Sequence, residues 1–464
     1  MTRRALTFLR RTALVLLAST GLTPGSAAEP VPMLPSGAAA GYRLAWQDEF
    51  DGAALNKEAW NIRTGERFAS MNAAKNVEVK DGRLRIHLRK EKAGKLDYTS
   101  GGVISKREFK YGCYEARFKC PKGAGWHTSF WLMKNSGGQQ GNRQEIDICE
   151  ADSKEQTSYG ANLHTHFPEH KGQAGRRIIT PDLSADCHTW TTEFSPLEIR
   201  HYFDGKLVGV VHASGFKHDA MSIWLTCVGW ANLPWAPQLK IDDTKLPAVA
   251  EFEYVRFFEK PGIESERQPA QRTVIVFGDS LTQGGALPKD QQDKAWLRVV
   301  ERESKGRLRM INEGKGGRAT GDGKNEFDRM TAKHPRCDVM VIALGTNDSR
   351  DLKPGSVDKA AANVRHMIER ARQCYGPGLE VLIVAPPNVN KSALVATKPI
   401  AYEREANLKA LAVSFEALAR DKQCGFISLF GTVPESSMLA DGVHPDSAGH
   451  AAMAKVISSA LNRW

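Results

Sequence analysis

The spacing of apolar residues changes near residue 261, and this change constrains the fold more than any other feature. From Tyr42 to about Lys260, short runs alternate apolar and polar residues, and the pairs Asp81-Gly82 and Asp204-Gly205 separate such runs. Alternation with period two predicts half-buried strands, and Asp-Gly between two such runs predicts a tight hairpin. The first half therefore predicts an antiparallel all-β sandwich.

The second half contains continuous apolar runs instead, at 274–277, 339–344 and 381–384. Such runs are typical of parallel strands buried on both faces. Between and after them, three-and-four spacing indicates helices that pack on a sheet, as at Leu408, Leu411, Phe415 and Leu418. We expect an α/β domain with a doubly wound sheet over residues 273–464. Residues 261–272 are rich in Pro, Gly, Ser and charge, which predicts a linker.

Length and composition agree with two globular domains and exclude some classes of partner. The 464 residues exceed what one hydrophobic core usually holds, and 41% hydrophobic with 25% charged residues is ordinary for globular proteins. The formal charge of +11 bears on solubility and steering, and it favours an anionic polysaccharide only weakly. No concentrated basic tract is present, so we expect no nucleic-acid partner.

Residues 1–28 have the pattern of a secretory signal peptide. Four arginines, at positions 3, 4, 10 and 11, precede the apolar run 12–18, and small residues at 26–28 suit cleavage. We expect a secreted or periplasmic protein, with Sec and twin-arginine export both open, whose charge falls from +11 to +7 once these four arginines are removed. The apolar run is too short to span a bilayer, and no membrane span is expected in the mature chain.

All eight cysteines follow this segment, and export would permit disulfides. Pairing cannot be read from sequence, although Cys374 and Cys424 are candidates.

Three carboxylates lie within six residues, at Glu145, Asp147 and Glu150, among strand-forming neighbours. In a regular strand Glu150 would face away from the other two. A β-bulge at 148–149 would return it to their face, and bulges are frequent beside active sites. Retaining glycosidases need two carboxyl groups roughly 5 to 5.5 Å apart. The alternatives are a solvated acidic strand face or a calcium site.

The motif Glu-Ile-Asp-Ile-x-Glu resembles the bulged signature of the family 16 glycoside hydrolases, which include laminarinases, agarases and carrageenases. Further similar segments occur in the same order, at 46–51, 109–112, 114–117 and 130–132. The resemblance covers residues 41–260 and implies a concanavalin-like β-jelly-roll with an open cleft. It also implies that Glu145 is the nucleophile, Asp147 the assisting acid and Glu150 the general acid/base. The polymer stays open among β-1,3-glucans, agar or carrageenan-type galactans, and other glycans.

A second set of chemically active residues lies in the α/β half. Ser280 follows the first buried strand, and Asp441 and His444 are spaced so that one loop can present the imidazole to the serine while the acid orients it. Asn347 follows a second buried strand, and Gly317 ends a glycine cluster. Singly, these residues would be read as a helix cap, a structural histidine and turns.

The ordered set resembles the SGNH, or GDSL-type, hydrolases over residues 273–464, with a three-layer α/β fold. This resemblance implies acyl-ester hydrolysis with Ser280 as nucleophile, His444 as base and Asp441 as the residue that orients it. The implied oxyanion hole consists of the Ser280 backbone, Gly317 and Asn347, with Gly314 and Gly316 as competitors for the glycine position.

Several binding residues are predicted for the first half. Sugar rings stack on indoles, and Trp126, Trp230 and Trp235 neighbour Gly, Pro or Asn, which favours the cleft, whereas Trp131 is expected in the core. No third ligand accompanies His164 and His166 at a spacing convincing for zinc. The family resemblance, in which a histidine downstream of the acids often lines the cleft, implies that His164 is a sugar contact. We expect no required cofactor or metal, and the family resemblance adds a structural calcium in the jelly roll without identifying its ligands.

Together these observations predict a secreted bifunctional enzyme. The first domain would be a retaining endo-β-glycosidase acting on a β-glucan or β-galactan, and the second a serine esterase that removes acetyl groups from the same or an associated polysaccharide. One alternative makes the jelly roll a glycan-binding module that targets the esterase, which the three intact acids disfavour. Another gives the second domain lipid or thioester substrates.

Overall fold

The computed structural model describes residues 35–38, 40–123, 125–134, 143–166, 173–213, 218–234, 236–265, 271–397 and 400–461. Residues 34–464 form one compact unit. The predicted signal peptide, Trp235 and part of the predicted linker lie outside the described residues. Within them, no helix has the length and apolar character needed to cross a bilayer.

The first half consists of strands joined by turns and short 3-10 helices, the latter at Ala74–Asn76, Asp243–Lys245 and Ile263–Ser265. The strands are β1 (Arg43–Asp48), β2 (Trp60–Ile62), β3 (Gly65–Arg67), β4 (Ser70–Asn72), β5 (Val77–Lys80), β6 (Arg83–Ala93), β7 (Leu96–Phe109), β8 (Gly112–Lys119), β9 (Trp126–Met133), β10 (Arg143–Asp152), β11 (Ser158–His166), β12 (Gln173–Ile179), β13 (His188–Phe194), β14 (Glu198–Phe203), β15 (Lys206–His212), β16 (Met221–Gly229) and β17 (Ala248–Glu259).

These strands form two layers. One layer runs β2-β7-β16-β9-β10-β11-β12, and the other contains β1, β5, β6, β8, β13, β14, β15 and β17. Their facing sides bury a large aromatic core, in which Phe118 stacks on Trp190 with ring centroids 3.8 Å apart. The predicted all-β jelly-roll sandwich is confirmed.

Both predicted hairpins are present. Asp81 and Gly82 join β5 to β6 with φ of 52° and 68°, and Asp204 and Gly205 join β14 to β15 with φ of 46° and 75°. Positive φ at both central residues matches the twist of the flanking strands.

The second half has β18 (Arg272–Gly278), β19 (Leu308–Gly314), β20 (Val339–Ala343), β21 (Glu380–Ala385) and β22 (Gly425–Ser428). Its helices are α1 (Ser280–Gln283), α2 (Trp296–Glu303), α3 (Thr320–Lys333), α4 (Ser356–Tyr375), α5 (Lys391–Thr397), α6 (Ala401–Asp421) and α7 (Ser447–Leu461), with 3-10 helices at Lys289–Lys294, Asp348–Arg350 and Glu435–Ser437.

The five strands form one parallel sheet in the order β19-β18-β20-β21-β22. Ile275 and Phe277 pack in one core with α3, α4 and α6, while Val274 and Val276 pack in a second core with α2 and α7. Helices therefore cover both faces, and the predicted three-layer α/β fold is confirmed. The predicted apolar stripe of α6 is also buried.

The eight cysteines are free thiols, so a Cys374–Cys424 disulfide is wrong for this structure. Cys374 is buried in α4, in the core beneath the sheet. The sulfur of Cys424 instead donates to the Lys422 carbonyl and accepts from Arg372 Nη2 at 3.7 Å.

Arg176 of β12 fastens the sandwich to the parallel-sheet domain. It is 8% exposed, and its Nη2 donates to the carbonyls of Thr331 and His334 at 3.0 and 3.1 Å. Nε donates to the Cys374 carbonyl at 3.3 Å, and the guanidinium lies 4.6 Å from the Tyr375 ring centroid. One side chain thus satisfies three carbonyls at the ends of α3 and α4.

An ionic cluster extends this contact. Arg336 donates to Glu198 at 2.9 Å across the interface and to Asp338 at 2.9 Å within its own domain. Burial alone would lower the pKa of Arg336, but the two carboxylates raise it. His212 of β15 also bonds the Cys337 carbonyl at 2.9 Å. The two domains are therefore docked through buried polar groups and not only joined by the linker.

We expect Arg176→Ala to lower the free energy of unfolding by about 2 to 4 kcal/mol, because it removes the guanidinium donors of the buried Thr331 and Cys374 carbonyls, whereas the His334 carbonyl keeps the Tyr375 hydroxyl at 2.8 Å. Thermal unfolding followed by circular dichroism measures this, and separate transitions for the two domains would accompany loss of docking. The adjacent exposed Arg177→Ala is the matched control, with an expected change within about 0.5 kcal/mol. Equal midpoints for both variants would contradict the docking role of Arg176.

Candidate active sites

The three predicted catalytic carboxylates share one face of β10. Asp147 pairs with Trp131 of β9, but the next pair is Cys149 with Phe130, so Ile148 is an extra residue. Glu150 then pairs with Ser129. The predicted bulge is confirmed, and it returns Glu150 to the face of Glu145 and Asp147.

Histidines from the flanking strands contact each acid. Glu145 Oε2 lies 3.0 Å from His166 Nε2, and Asp147 Oδ2 lies 3.2 Å from His164 Nε2. Glu150 has two partners: His127 Nε2 at 3.0 Å and Asn162 Nδ2, which donates at 2.6 Å.

The environment separates the acids electrostatically. Burial raises the pKa of Asp147 well above its usual range, and the neighbouring Glu150 and Glu145 add to this. Burial would also raise the pKa of Glu150, but hydrogen bonds from His127 and Asn162, with the nearby His164, lower it overall. Burial and the neighbouring carboxylates thus favour the protonated form of Asp147, while the polar partners of Glu150 favour its ionised form.

Trp126 and Trp131 lie on opposite faces of β9. Trp126 shares its strand face with Phe130 and Leu132, is fully buried in the sandwich core, and lies outside the cleft. Trp131 pairs with Asp147, so it lies on the acid face, where its ring centroid is 4.6 Å from that of Trp224. The cleft prediction for Trp126 is therefore wrong. Trp131 is buried, as expected, at 9% exposure, but it packs with Ile104 and Trp224 beside the acids and not in the sandwich core. Alternation along β9, counted from Asp147, places the two indoles on opposite faces.

Trp230 lies beside the acids, as predicted. Its ring stacks on His127 at 4.0 Å, and His127 contacts Glu150. Phe68 meets the Trp230 ring edge-on at 4.9 Å. Trp235 is outside the described residues, so its role stays a prediction.

Sequence reasoning missed several residues of this face, namely Arg63, His127, Asn162, His166 and Trp224. A usable signal existed for His127 and Trp131, because Phe130 and Leu132 mark the core-facing positions of the same strand. Arg63 and Trp224 belong to strands whose register is set by tertiary pairing, which the local pattern does not reveal.

The parallel-sheet domain brings the predicted serine, histidine and aspartate into a connected set. Ser280 begins α1 directly after β18, and its Oγ lies 2.9 Å from His444 Nε2. His444 Nδ1 lies 2.5 Å from Asp441 Oδ2, and Asp441 Oδ1 accepts the backbone N–H groups of Val443 and His444. These donors lower the pKa of Asp441 although burial opposes them.

The strand-to-helix turn at Ser280 requires glycine before it. A Cβ on Gly278 would lie 2.1 Å from Thr282 Oγ1. The close return of α1 onto the strand end therefore presents Ser280 at the carboxyl edge of the sheet, where α/β domains bind ligands.

The two further residues predicted for an oxyanion hole lie on loops after β19 and β20. Asn347 Nδ2 donates to the Arg318 carbonyl at 3.1 Å, and its Oδ1 accepts from Arg350 at 2.7 Å, which fixes the amide orientation. Gly317 precedes Arg318, is exposed and has φ of 76°. Asn347 and Gly317 are thus linked through the Arg318 backbone.

Asp279 lies beneath the serine. It is 1% exposed and caps α1 by accepting the Leu281 N–H at 3.0 Å. Burial raises the pKa of Asp279 to about 6, despite that hydrogen bond and a contact with Thr346.

Two described groups of residues have metal-like spacing. Glu145, Asp147 and His164 offer atoms within 4.8 Å of one another, as do Glu198, His212 and Asp338. In the second group Arg336 already neutralises both carboxylates, and neither group gives calcium the oxygen-only shell that it prefers. The structural calcium stays a prediction.

Comparison with known proteins matches each half to one family. Residues 64–242 match the sequence model of the glycosyl hydrolases family 16, and residues 276–452 match that of the GDSL-like lipase/acylhydrolase family. A glucan endo-1,3-beta-glucosidase A1 from Niallia circulans is 29% identical over 209 residues, which cover 36% of this chain and 29% of that protein. A GDSL lipase from Mycobacterium tuberculosis is 27% identical over 195 residues, which cover 41% of this chain and 81% of that protein.

Among solved structures, the catalytic domain of an endo-1,3-beta-glucanase (laminarinase) from Thermotoga petrophila aligns at 26% identity and a TM-score of 0.43, covering 47% of this chain and 98% of that one. The chain spans less than a third of the length of the Niallia relative.

Fold and side-chain arrangement thus define two domains of hydrolase type, a sandwich with a carboxylate ladder and a parallel-sheet domain with a Ser-His-Asp set. The chain is a fusion of a family 16 glycoside hydrolase domain with a GDSL-type, or SGNH, hydrolase domain. This confirms both resemblances noted in the sequence.

We expect Asp279→Asn to stabilise the protein at high pH. The pKa of Asp279 in the folded protein, about 6, exceeds its ordinary value of 3.8. The protonated carboxyl therefore contributes stability that is fully present below pH 3.8 and is lost as the pH rises through 6. Asparagine keeps the capping oxygen without the charge, so its advantage should grow by about 2 to 3 kcal/mol between pH 4 and pH 8.

Thermal unfolding of both proteins across this range measures the effect. Asp182→Asn is the control of opposite sign, because hydrogen bonds from Ser184 lower the pKa of Asp182. A pH-independent difference between wild type and Asp279→Asn would refute the assignment.

Proposed function

We propose that the chain is a bifunctional hydrolase of glycans. Its first domain is a retaining endo-β-glycosidase acting on a β-glucan or β-galactan, and its second a serine esterase that removes acetyl groups from the same or an associated polysaccharide. The observation that carries the proposal is the presence of two complete and separate sets of reactive side chains, at Glu145, Asp147 and Glu150 and at Ser280, His444 and Asp441.

The glycosidase reaction has two steps. Glu145 attacks the anomeric carbon while Glu150, reacting in its protonated form, donates a proton to the leaving glycosidic oxygen, so a carbon–oxygen bond to Glu145 forms as the glycosidic bond breaks. Glu150, now ionised, takes a proton from water, whose oxygen displaces Glu145 with overall retention. His127 and Asn162 hold Glu150 for both roles, and the protonated Asp147 limits repulsion between the outer acids.

The esterase reaction starts at Ser280. His444 takes the hydroxyl proton as Oγ attacks the acyl carbon, and it returns the proton to the leaving alcohol; Asp441 orients the imidazole. The backbone of Ser280 and Gly317 with the amide of Asn347 stabilises the developing oxyanion. Water then releases the acyl group by the same steps.

The name of the Niallia circulans relative, an endo-1,3-beta-glucosidase, supports a β-glucan among the candidate polymers. We also propose export to the periplasm or the medium, which the arginine-flanked apolar run of residues 1–28 supports.

We expect Glu145→Gln to abolish release of reducing ends from the polymer while acetate release continues, and Ser280→Ala to do the reverse. Each loss should reach at least about a thousandfold, because each residue forms the covalent intermediate of its reaction. Reducing-end assays on β-glucans and galactans, and acetate assays on an acetylated polysaccharide, measure both. Loss of both activities in either variant would contradict two independent sites.

We expect His127→Leu to shift the alkaline limb of the glycosidase pH profile upward. Without the imidazole, burial dominates and the pKa of Glu150 rises, so this acid stays protonated at higher pH. His127→Gln should move the limb part of the way back towards its wild-type position, because the glutamine amide can donate a hydrogen bond to Glu150. His87→Leu removes a similar hydrogen bond, between β6 and Glu78 of β5 in the other layer of the sandwich, and it should leave the limb in place. An unmoved limb in His127→Leu would exclude this positioning role.

A further inference from the structure

Two arginines lie along one edge of the acid face. Arg63 follows β2, and its backbone N–H donates to the Gly102 carbonyl at 2.8 Å. Its guanidinium lies 5.4 and 5.8 Å from the ring centroids of Trp224 and Trp131. Because Trp131 pairs with Asp147, Arg63 lies on the same face as the acids.

Arg67 ends β3 a short distance away. Its guanidinium lies 4.1 Å from the Phe68 ring, which contacts Trp230. The segment between the two arginines therefore runs from the Trp131–Trp224 pair to the tryptophan that stacks beside Glu150.

These guanidinium groups lack the anionic partners found elsewhere. Among the described residues, no carboxylate makes a hydrogen bond or ion pair with Arg63 or Arg67, whereas Arg256 is held by both oxygens of Glu49 and Arg336 by Glu198 and Asp338. Burial lowers the pKa of Arg63 to about 10, the charge of Arg67 adds to this, and Glu145 opposes it. Two like charges thus lie near each other, and the nearby carboxylate of Glu145 only partly offsets the effect of burial on the pKa of Arg63.

The rings of Trp131 and Trp224 also favour an anionic ligand over a neutral sugar at this position. Arg63 lies over the rings of both Trp131 and Trp224, so it competes with the apolar face of a neutral sugar for that side of the indoles. A planar fork with five donors suits a carboxylate or a sulfate, which it can bind through two parallel hydrogen bonds.

We propose that Arg63 and Arg67 form an anion-binding subsite beside Glu145 that receives a sugar residue carrying a carboxylate or a sulfate group. The proposal rests on the glycosidase function and narrows its substrate to an acidic β-linked glycan. The shared chemistry is a planar or tetrahedral oxyanion held by two guanidinium groups, with the sugar backbone continuing over the acids.

Binding is tested in the full chain carrying Glu150→Gln, which prevents turnover and leaves both arginines in place. The probes are carrageenan and its desulfated form, β-glucuronan and its carboxyl-reduced form, and laminarin as a neutral β-1,3-glucan. Isothermal titration calorimetry at low and at raised salt gives the dissociation constants. We expect one charged polymer to bind at least about tenfold more tightly than its neutral counterpart, with an advantage that shrinks in salt.

Arg63→Gln and Arg67→Gln should each remove most of that advantage without changing the affinity for the neutral polymer. Arg67 is exposed, so its variant remains informative if Arg63→Gln folds poorly. Arg43→Gln makes the same charge change on β1, where the side chain is 69% exposed and bonded to Glu259, and it should alter nothing.

The two arms distinguish the sources of charge, since preference for carrageenan identifies sulfate and preference for β-glucuronan identifies carboxylate. Equal binding of charged and neutral polymers, or equal loss for both in the arginine variants, would overturn the subsite. If the wild-type protein then cleaves laminarin, the glycosidase function stands without it. If it cleaves no polymer, the glycosidase function itself fails.

Discussion

Strict alternation of side chains along neighbouring strands is the constraint on which the first active site depends. It forces every second residue of β9, β10 and β11 onto one face, and that face collects the acids and their histidines. A single extra residue, Ile148, shifts the count by one and brings Glu150 into line. Without it, the acid would point into an aromatic core with no partner for its charge.

The second site depends on a different constraint, the abrupt return of a helix onto the end of a parallel strand. Gly278 permits that return, Asp279 caps the helix, and Ser280 is left at the edge of the sheet. The histidine arrives from a distant loop, with its aspartate bonded to two backbone N–H groups of that loop. In the first domain the proposed nucleophile and the proposed acid/base share one strand, whereas in the second domain the proposed nucleophile and base come from separate elements.

Local patterns carried much of the fold and the reactive residues. Asp-Gly pairs predicted hairpins because few residues accept positive φ, and the acid spacing predicted the bulge because strands alternate. The cleft position predicted for Trp126 is wrong because neighbouring residue types do not reveal strand register, and the same register places the buried Trp131 on the acid face. Arg63 was missed because its neighbours in space come from strands far along the chain. The interdomain contact of Arg176 could not be predicted either, because the sequence does not distinguish the buried Arg176 from the exposed Arg177.

That contact changes how the two halves can cooperate. A flexible tether would let one site explore a volume around the other, and its benefit would depend on linker length. Docking through Arg176, Arg336 and His212 instead holds the two sites at a fixed distance from each other. On a polymer, the two sites would then act at a constant distance from each other. The sugar residue that reaches one site while the other is occupied would then be set by the repeat length of the polymer and not by diffusion.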